Sequence, residues 1–323
     1  MNVFTNNSAN AAGSRLVRFA PWLAGLAGLA FALAMVTAGL GALESYGVWL
    51  FVATPFVMGM ATGFVFNRLR PTASPDETMR LVIKVVAAAG IMSVLAAIEG
   101  AICVVMALPV AIVVALMGGA AGRGLSRAGS GNAPVAFMLI AVPITAFVEP
   151  GSGRRVHEVE SAVVIDASPA EVWPHVVSFS DIPEPQDWLF RSGIAYPLRA
   201  RIEGSGVGAV RYCEFSTGAF VEPITRWEPE RRLSFDVVQS PVPMRELSPY
   251  ANLSPRHLHG YLRSKHGEFR FVDLGDGRTR LEGTTWYEIE MAPEWYWGLW
   301  SDYLIHRIHL RVLEHIKQEV EGR

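Results

Sequence analysis

The sequence predicts two dissimilar halves: an all-α bundle of about five membrane-spanning helices over residues 1–150, and an α+β domain over residues 151–323. Three observations lead there. Apolar runs of close to twenty residues recur through the first half, each long enough to cross a ~30 Å hydrocarbon layer at ~1.5 Å per residue. Acids are scarce in that half, where Glu44, Asp76, Glu77, Glu99 and Glu149 are the only ones. After the short linker "GSGRR" (151–155) the pattern turns to strand alternation, and the chain closes with a long amphipathic helix.

The apolar runs lie near 21–43, 47–66, 81–98, 101–121 and 133–148. Only Glu99-Gly100 separates the third from the fourth, and a single helix of their joint length would overshoot a bilayer, so a tight hairpin with Glu99 at the interface is expected. The fifth run is shorter and carries Pro143 in its middle. The first is longer than a signal-peptide core, lacks a small-x-small cleavage pattern and is followed at once by another span, so it is expected to stay in place. Arg15 and Arg18 precede the first span, Arg68, Arg70 and Arg80 lie between the second and third, and Arg123 and Arg127 follow the fourth, whereas "ESY" and "EG" carry no base. That alternation orients the N-terminus toward the cytoplasm. Five spans then put the C-terminal domain on the extracytoplasmic side of a cell (inner) membrane, and four would keep it in the cytoplasm. Lys84 can snorkel to the interface, and so few ionisable groups remain inside that anchoring is favoured over transport. The abundance of Gly and Ala suits close helix contact.

The formal net charge of -2 comes without a basic stripe, which argues against nucleic acid as a partner. Cys103 and Cys213 fall one in each half, so there is no CxxC motif and no disulfide within a domain. There is no GxSxG, HExxH or phosphate-cradling glycine loop, and "GSGVG" (204–208) reads as the opening of a twisted strand. No cofactor is expected.

In the second half, "VHEVESAVVI" (156–165) alternates as a strand. In "DASPAEVWPHVVSF" (166–179), Ser168 is a cap, Pro169 sits at the first helical position and Glu171 in the first turn. Five further strands are expected in "GVGAVRYCEFS" (206–216), "FVEPITRWE" (220–228), "RRLSFDVVQS" (231–240), "HGEFRFVDL" (266–274) and "TRLEGTTWYEIE" (279–290), with Asp276-Gly277 as a tight hairpin between the last two. The final helix is expected from about 293 to 320.

This order, carried by "IDASPAEVWPHVVSFSDIPEPQDW", "EGSGVGAVRYCEF", "ITRWEPERRLSFDV" and "DLGDGRTRLEGTTWYEIE", resembles the SRPBCC superfamily of START-like, helix-grip proteins, which includes polyketide cyclase/dehydrase-like and lipid-transfer domains. The resemblance covers roughly residues 156 to 320 and does not extend to the apolar half. It implies a strongly curved antiparallel sheet wrapped around the long C-terminal helix, with a ligand cavity between them. Its motifs are specific for fold and not for function. The stretch 240–262 reads as an insertion able to act as a lid.

The terminal helix carries "DYLIHRIHLRVLEHI" (302–316). At ~100° per residue, Leu304, Ile305, Ile308, Val312 and Ile316 form one apolar stripe. Asp302, His306 and His309 share an arc at one edge, His315 lies at the other, and Arg307 and Arg311 are expected toward solvent. Three readings stay open: an acid/base pair in which Asp302 orients His306, a metal site completed by Asp302 or by His257 and His259, and polar lining of a cavity. Arg211 and Glu222 each fall on an apolar strand face, where a charge must be paired or must meet a ligand. Trp286 and Tyr287 precede the helix, and Trp300 lies in "EWYWGLW" (294–300), which is either a pocket mouth or an interfacial belt. The ligand-binding candidates are therefore Arg211, Glu222, Trp286, Tyr287, Trp300, His306 and His309, and the catalytic candidates are Asp302, His306 and His309. The expected partners are membrane lipids and a small hydrophobic ligand. A tethered cyclase or dehydratase-like enzyme is the alternative function, and a regulatory module with a collapsed cavity is a third.

Overall fold

The computed structural model describes residues 4–38, 47–128, 155–250 and 258–322. The chain divides into two compact units, 1–151 with 248–251, and 152–247 with 252–323.

In the first unit, α1 (Phe4–Ala38), a π-helical turn (Trp49–Ala53) running into α2 (Thr54–Leu69), α3 (Pro75–Leu95) and α4 (Ala101–Arg127) supply four helices long and apolar enough to cross a membrane. The expected segment 133–148 lies outside the described residues. Ser74 caps α3 reciprocally with Glu77. The turn from Ala96 to Gly100 reverses the chain between α3 and α4, with Ala97 at positive φ, as the Glu99-Gly100 break predicts. Glycine does the packing between α2 and α4. Gly59 and Gly63 lie on the backbone of Ala115 and Gly119, and Gly118 and Gly122 lie on that of Phe56 and Met60, so none of the four has room for a Cβ. Backbone approach of this kind holds the two helices by close van der Waals contact, the mode of association open to helices long and apolar enough to cross a membrane. At the end of α4, buried Arg123 donates to Asn67 Oδ1 (2.5 Å), to the Ala73 carbonyl (2.8 Å) and to Thr78 Oγ1 (3.2 Å), fastening three segments together.

The second unit is one seven-stranded antiparallel sheet in the order β1-β7-β6-β5-β4-β3-β2. Its strands are β1 (Val156–Ile165), β2 (Pro197–Glu203), β3 (Val210–Phe215), β4 (Gly218–Glu228), β5 (Arg232–Asp236), β6 (Leu262–Gly275) and β7 (Arg278–Ile289). The helices are α5 (Pro169–Val177), α6 (Trp188–Arg191) and α7 (Glu294–Glu321). Glu171 accepts from both the N–H (2.9 Å) and the hydroxyl (2.7 Å) of Ser168 at the start of α5. Asp276 and Gly277 both have positive φ, the primed turn expected between β6 and β7. β2 is an addition to the six strands read from the sequence. Its exposed Arg199 and Arg201 share Glu214 on β3, and its buried Ala200 faces the core.

The sheet closes around α7 through one apolar core. Ile165, Ile224, Leu233, Leu281, Leu313 and Ile316 are fully or almost fully enclosed there. Along the middle of α7, from Ile305 to Leu313, a cavity opens beside this core.

Candidate functional site

The cavity has a volume of about 120 Å³ and lies between the inner sheet face and α7. Phe215, Phe220, Phe235 and Phe269 line it from the sheet, and Ile305, Ile308 and Val312 line it from the helix. Gly267 on β6, next to the bulge at Ser264–His266, lets the Phe235 ring lie against bare backbone. One polar wall is made by β3 and β4. There, Arg211 and Glu222 are direct cross-strand partners, joined through Nη1 and Oε2. The guanidinium also donates from Nε to the Val177 carbonyl (3.3 Å) and lies 5.5–5.6 Å from the rings of Phe179, Phe235 and Phe269. Burial opposes its charge, yet the adjacent Glu222 keeps Arg211 above its ordinary value. Burial pushes the Glu222 carboxyl up against the pull of Arg211. The thiol of Cys213 beside them is pushed up to about 12, first by burial and then by Glu222, so it stays protonated. Both members of the pair line the cavity, so a ligand there meets an ion pair that already satisfies itself.

The second polar wall comes from α7, β1 and β7. His309 lines the cavity, with Nε2 2.7 Å from Thr285 Oγ1 and Nδ1 3.1 Å from Ser161 Oγ. Burial, and next the charge of His306, push it down to about 4, so it is neutral near pH 7. His306 is exposed, and its Nδ1 lies 2.7 Å from the same Ser161 hydroxyl. The expected arc therefore does bring His306 and His309 together, through a serine on the inward face of β1. Asp302 is engaged otherwise: it accepts from Tyr287 Oη at 2.6 Å, and the buried Tyr287 ring stacks on His157 at 5.1 Å. Tyr287 is pushed up, first by burial and then by Asp302. A carboxylate so held anchors α7 to β7.

The remaining candidates spread out. Trp286 donates to Glu158 Oε2 (3.0 Å) and lies beside His266, while Trp300 is half-buried, and Trp286, Tyr287 and Trp300 are not among the residues lining this cavity. His315 sits 3.4 Å from Ser180 Oγ and 3.6 Å from Glu319. Arg307 and Arg311, expected toward solvent, instead hold the 183–197 connection. Arg307 pairs with Asp187, and Arg311 donates to the Pro183 (2.6 Å) and Pro197 (3.2 Å) carbonyls. The helical wheel alone gave no sign of that second layer. Among the described residues, no group of three or more His, Cys, Asp or Glu is placed to hold a metal, and His257 lies outside them. Sequence reasoning missed Ser161 and Thr285. The available signal was a hydroxyl on the buried side of alternating strands.

No curated protein matches the chain in sequence. Among solved structures it is similar to the ZhuI aromatase/cyclase of Streptomyces sp. R1128, with 15% identity over 52% of this chain and 96% of that one and a TM-score of 0.35. It is similar to a truncated norcoclaurine synthase of Thalictrum flavum, with 14% identity, 53% and 98% coverage and a TM-score of 0.34. A protein of Nitrosospira multiformis is 18% identical, with 52% and 100% coverage and a TM-score of 0.32. Residues 156–321, more than half of the chain, match the family described as polyketide cyclase/dehydrase and lipid transport, and it is to this family that the chain belongs.

Proposed function

We propose that this protein is a membrane-anchored START-like binder that holds a small hydrophobic ligand between its sheet and α7. The observation that carries the reading is the cavity itself: four phenylalanines around a mutually paired Arg211–Glu222, with further polar side chains contributed by β6 and β7 (Ser264, His266, Glu268, Thr284 and Thr285) and by His309 of α7. Concave apolar sites with a few fixed polar groups suit apolar ligands that carry one or two hydroxyl or carbonyl oxygens. At about 120 Å³ the space matches a single ring or a short acyl segment, since a cavity on the order of 150 Å³ holds benzene. A two-chain lipid would require α7 to move away from the sheet. Anchoring rests on the four apolar helices, and the basic residues at their ends favour a cytoplasmic N-terminus. With 133–148 as a fifth span, the domain faces the extracytoplasmic side.

A second reading, a tethered cyclase or dehydratase-like enzyme, is favoured by His309, a neutral imidazole on the cavity wall and suited to proton transfer. Native mass spectrometry of the full chain released from micelles, with organic extraction of bound species, tests the binding reading. One reproducible small apolar species is expected, together with saturable binding of 4-nitrophenol followed by absorbance. A protein that retains nothing and ignores 4-nitrophenol and fatty acids refutes it. Turnover of a retained polyketide-like species that is lost in His309→Gln, with its binding kept, would favour the enzyme.

A further inference from the structure

Four side chains form an unbroken line from solvent to the cavity: His306, Ser161, His309 and Thr285. His306 is exposed on α7, and its Nδ1 lies 2.7 Å from Ser161 Oγ. Ser161, only 4% exposed, reaches His309 Nδ1 at 3.1 Å, and His309 Nε2 reaches Thr285 Oγ1 at 2.7 Å. His309 and Thr285 both line the cavity. Every link is within hydrogen-bond distance, and each member can donate and accept at once. A hydroxyl has a single proton, so when all links are made in one direction the two imidazoles point their Nδ1 atoms at Ser161 in opposite protonation states.

We infer that Ser161 joins the two histidines into a proton path that carries protons between solvent and a hydroxyl- or carbonyl-bearing ligand in the cavity. This rests on the ligand-binding reading above and adds a chemical activity to it. In the inward direction, His306 takes a proton at Nε2 from water and releases the one on Nδ1 to Ser161 Oγ. Ser161 passes its own hydroxyl proton to His309 Nδ1. His309 gives its Nε2 proton to Thr285 Oγ1, which hands its hydroxyl proton to the ligand oxygen. One proton enters and one leaves, each imidazole changes tautomer, and the four side chains end neutral: the positive charge given up by a solvent hydronium arrives on the ligand oxygen. The outward direction is the same series reversed. The path accounts for a polar pair of histidines at this place on α7 without Asp302, whose carboxylate is held by Tyr287.

The test uses the full chain in detergent micelles with ring-¹⁵N histidine. A working path makes His309 alternate between tautomers, so its two ring-nitrogen resonances move toward a common mean. S161A removes the bridging hydroxyl and H306Q removes the solvent end. In both, His309 is expected to settle into one tautomer with two widely separated resonances, while S161T, which keeps a hydroxyl, restores the averaging. A His309 fixed in one tautomer in the unaltered protein, or averaging that persists in S161A and H306Q, overturns the path. The tautomer readout is made with 4-nitrophenol bound, its hydroxyl serving as the ligand oxygen beyond Thr285, so the two failures separate: absence of 4-nitrophenol binding to the unaltered protein overturns the ligand-binding reading and the path's function with it, whereas binding with His309 fixed in one tautomer overturns the path alone.

Discussion

Replacing His309 by glutamine should remove most of a pH dependence of stability that this one side chain creates. His309 is held at about 4 against an ordinary 6.5, by burial first and the charge of His306 second. A base whose folded value is depressed binds fewer protons in the folded than in the unfolded state between those two values. Stability is therefore complete above about pH 6.5 and falls as the pH drops toward 4. The full difference of 2.5 pH units corresponds to about 3 kcal/mol, and the portion lost between pH 7 and pH 5 to about 2 kcal/mol. Other titrating groups are shared by the two proteins and cancel in the comparison. Urea unfolding followed by tryptophan emission reports mainly on the second unit, because only Trp22 and Trp49 of the nine tryptophans lie in the first. The unaltered protein should lose about 2 kcal/mol more than His309→Gln between pH 7 and pH 5. Parallel losses in the two proteins would refute the assignment of His309 as a buried neutral base.

Three further outcomes follow from the packing. Glu222→Gln leaves Arg211 charged and buried and should lower stability by about 3–5 kcal/mol in urea unfolding, whereas Arg211→Met with Glu222→Leu should recover most of that loss; a single substitution as mild as the pair would contradict the coupling. Gly267→Ala drives a Cβ into the tip of the Phe235 ring inside the cavity, so 4-nitrophenol binding should weaken while the unfolding midpoint stays near that of the unaltered protein. Unchanged affinity would show that Phe235 does not shape the site. Gly63→Leu or Gly118→Leu should separate α2 from α4 and make the detergent-solubilised chain aggregate on heating well below the unaltered protein, read by light scattering. A Gly124→Leu control, with open space around it, should behave normally.

Much of this architecture is legible in the residues. The four helices follow from apolar length, the start of α5 from Ser168, Pro169 and Glu171, and the last hairpin from Asp276-Gly277. The strand β2 was not legible because it opens on Pro197 and alternates apolar residues with Arg199 and Arg201 over only seven positions, so its apolar signal is weak. The pairing of Arg211 with Glu222 was legible because strand alternation puts both on an apolar face, and such charges need partners. The partners of the helix side chains were not. A helical wheel places Asp302 beside His306, but whether Asp302 meets a histidine or Tyr287 depends on the register of a strand that the wheel does not contain. Ser161 lies 145 residues from His306, and nothing local marks it.

The strand order has a consequence for how the domain is made. Val156 at the start of β1 pairs with Glu288 near the end of β7, while β1 is the first strand of the sheet to leave the ribosome. At ~5–20 residues per second, the intervening chain takes on the order of ten seconds to synthesise. Throughout that interval β1 has no ladder partner, and the core lacks α7, which follows β7 in the chain. Whereas β2 to β6 are sequential neighbours able to pair as they emerge, β1 and α7 dock only at the end, after the apolar helices have been synthesised. A ribosome stalled anywhere before β7 would leave an unpaired, half-apolar strand open to the first edge it meets.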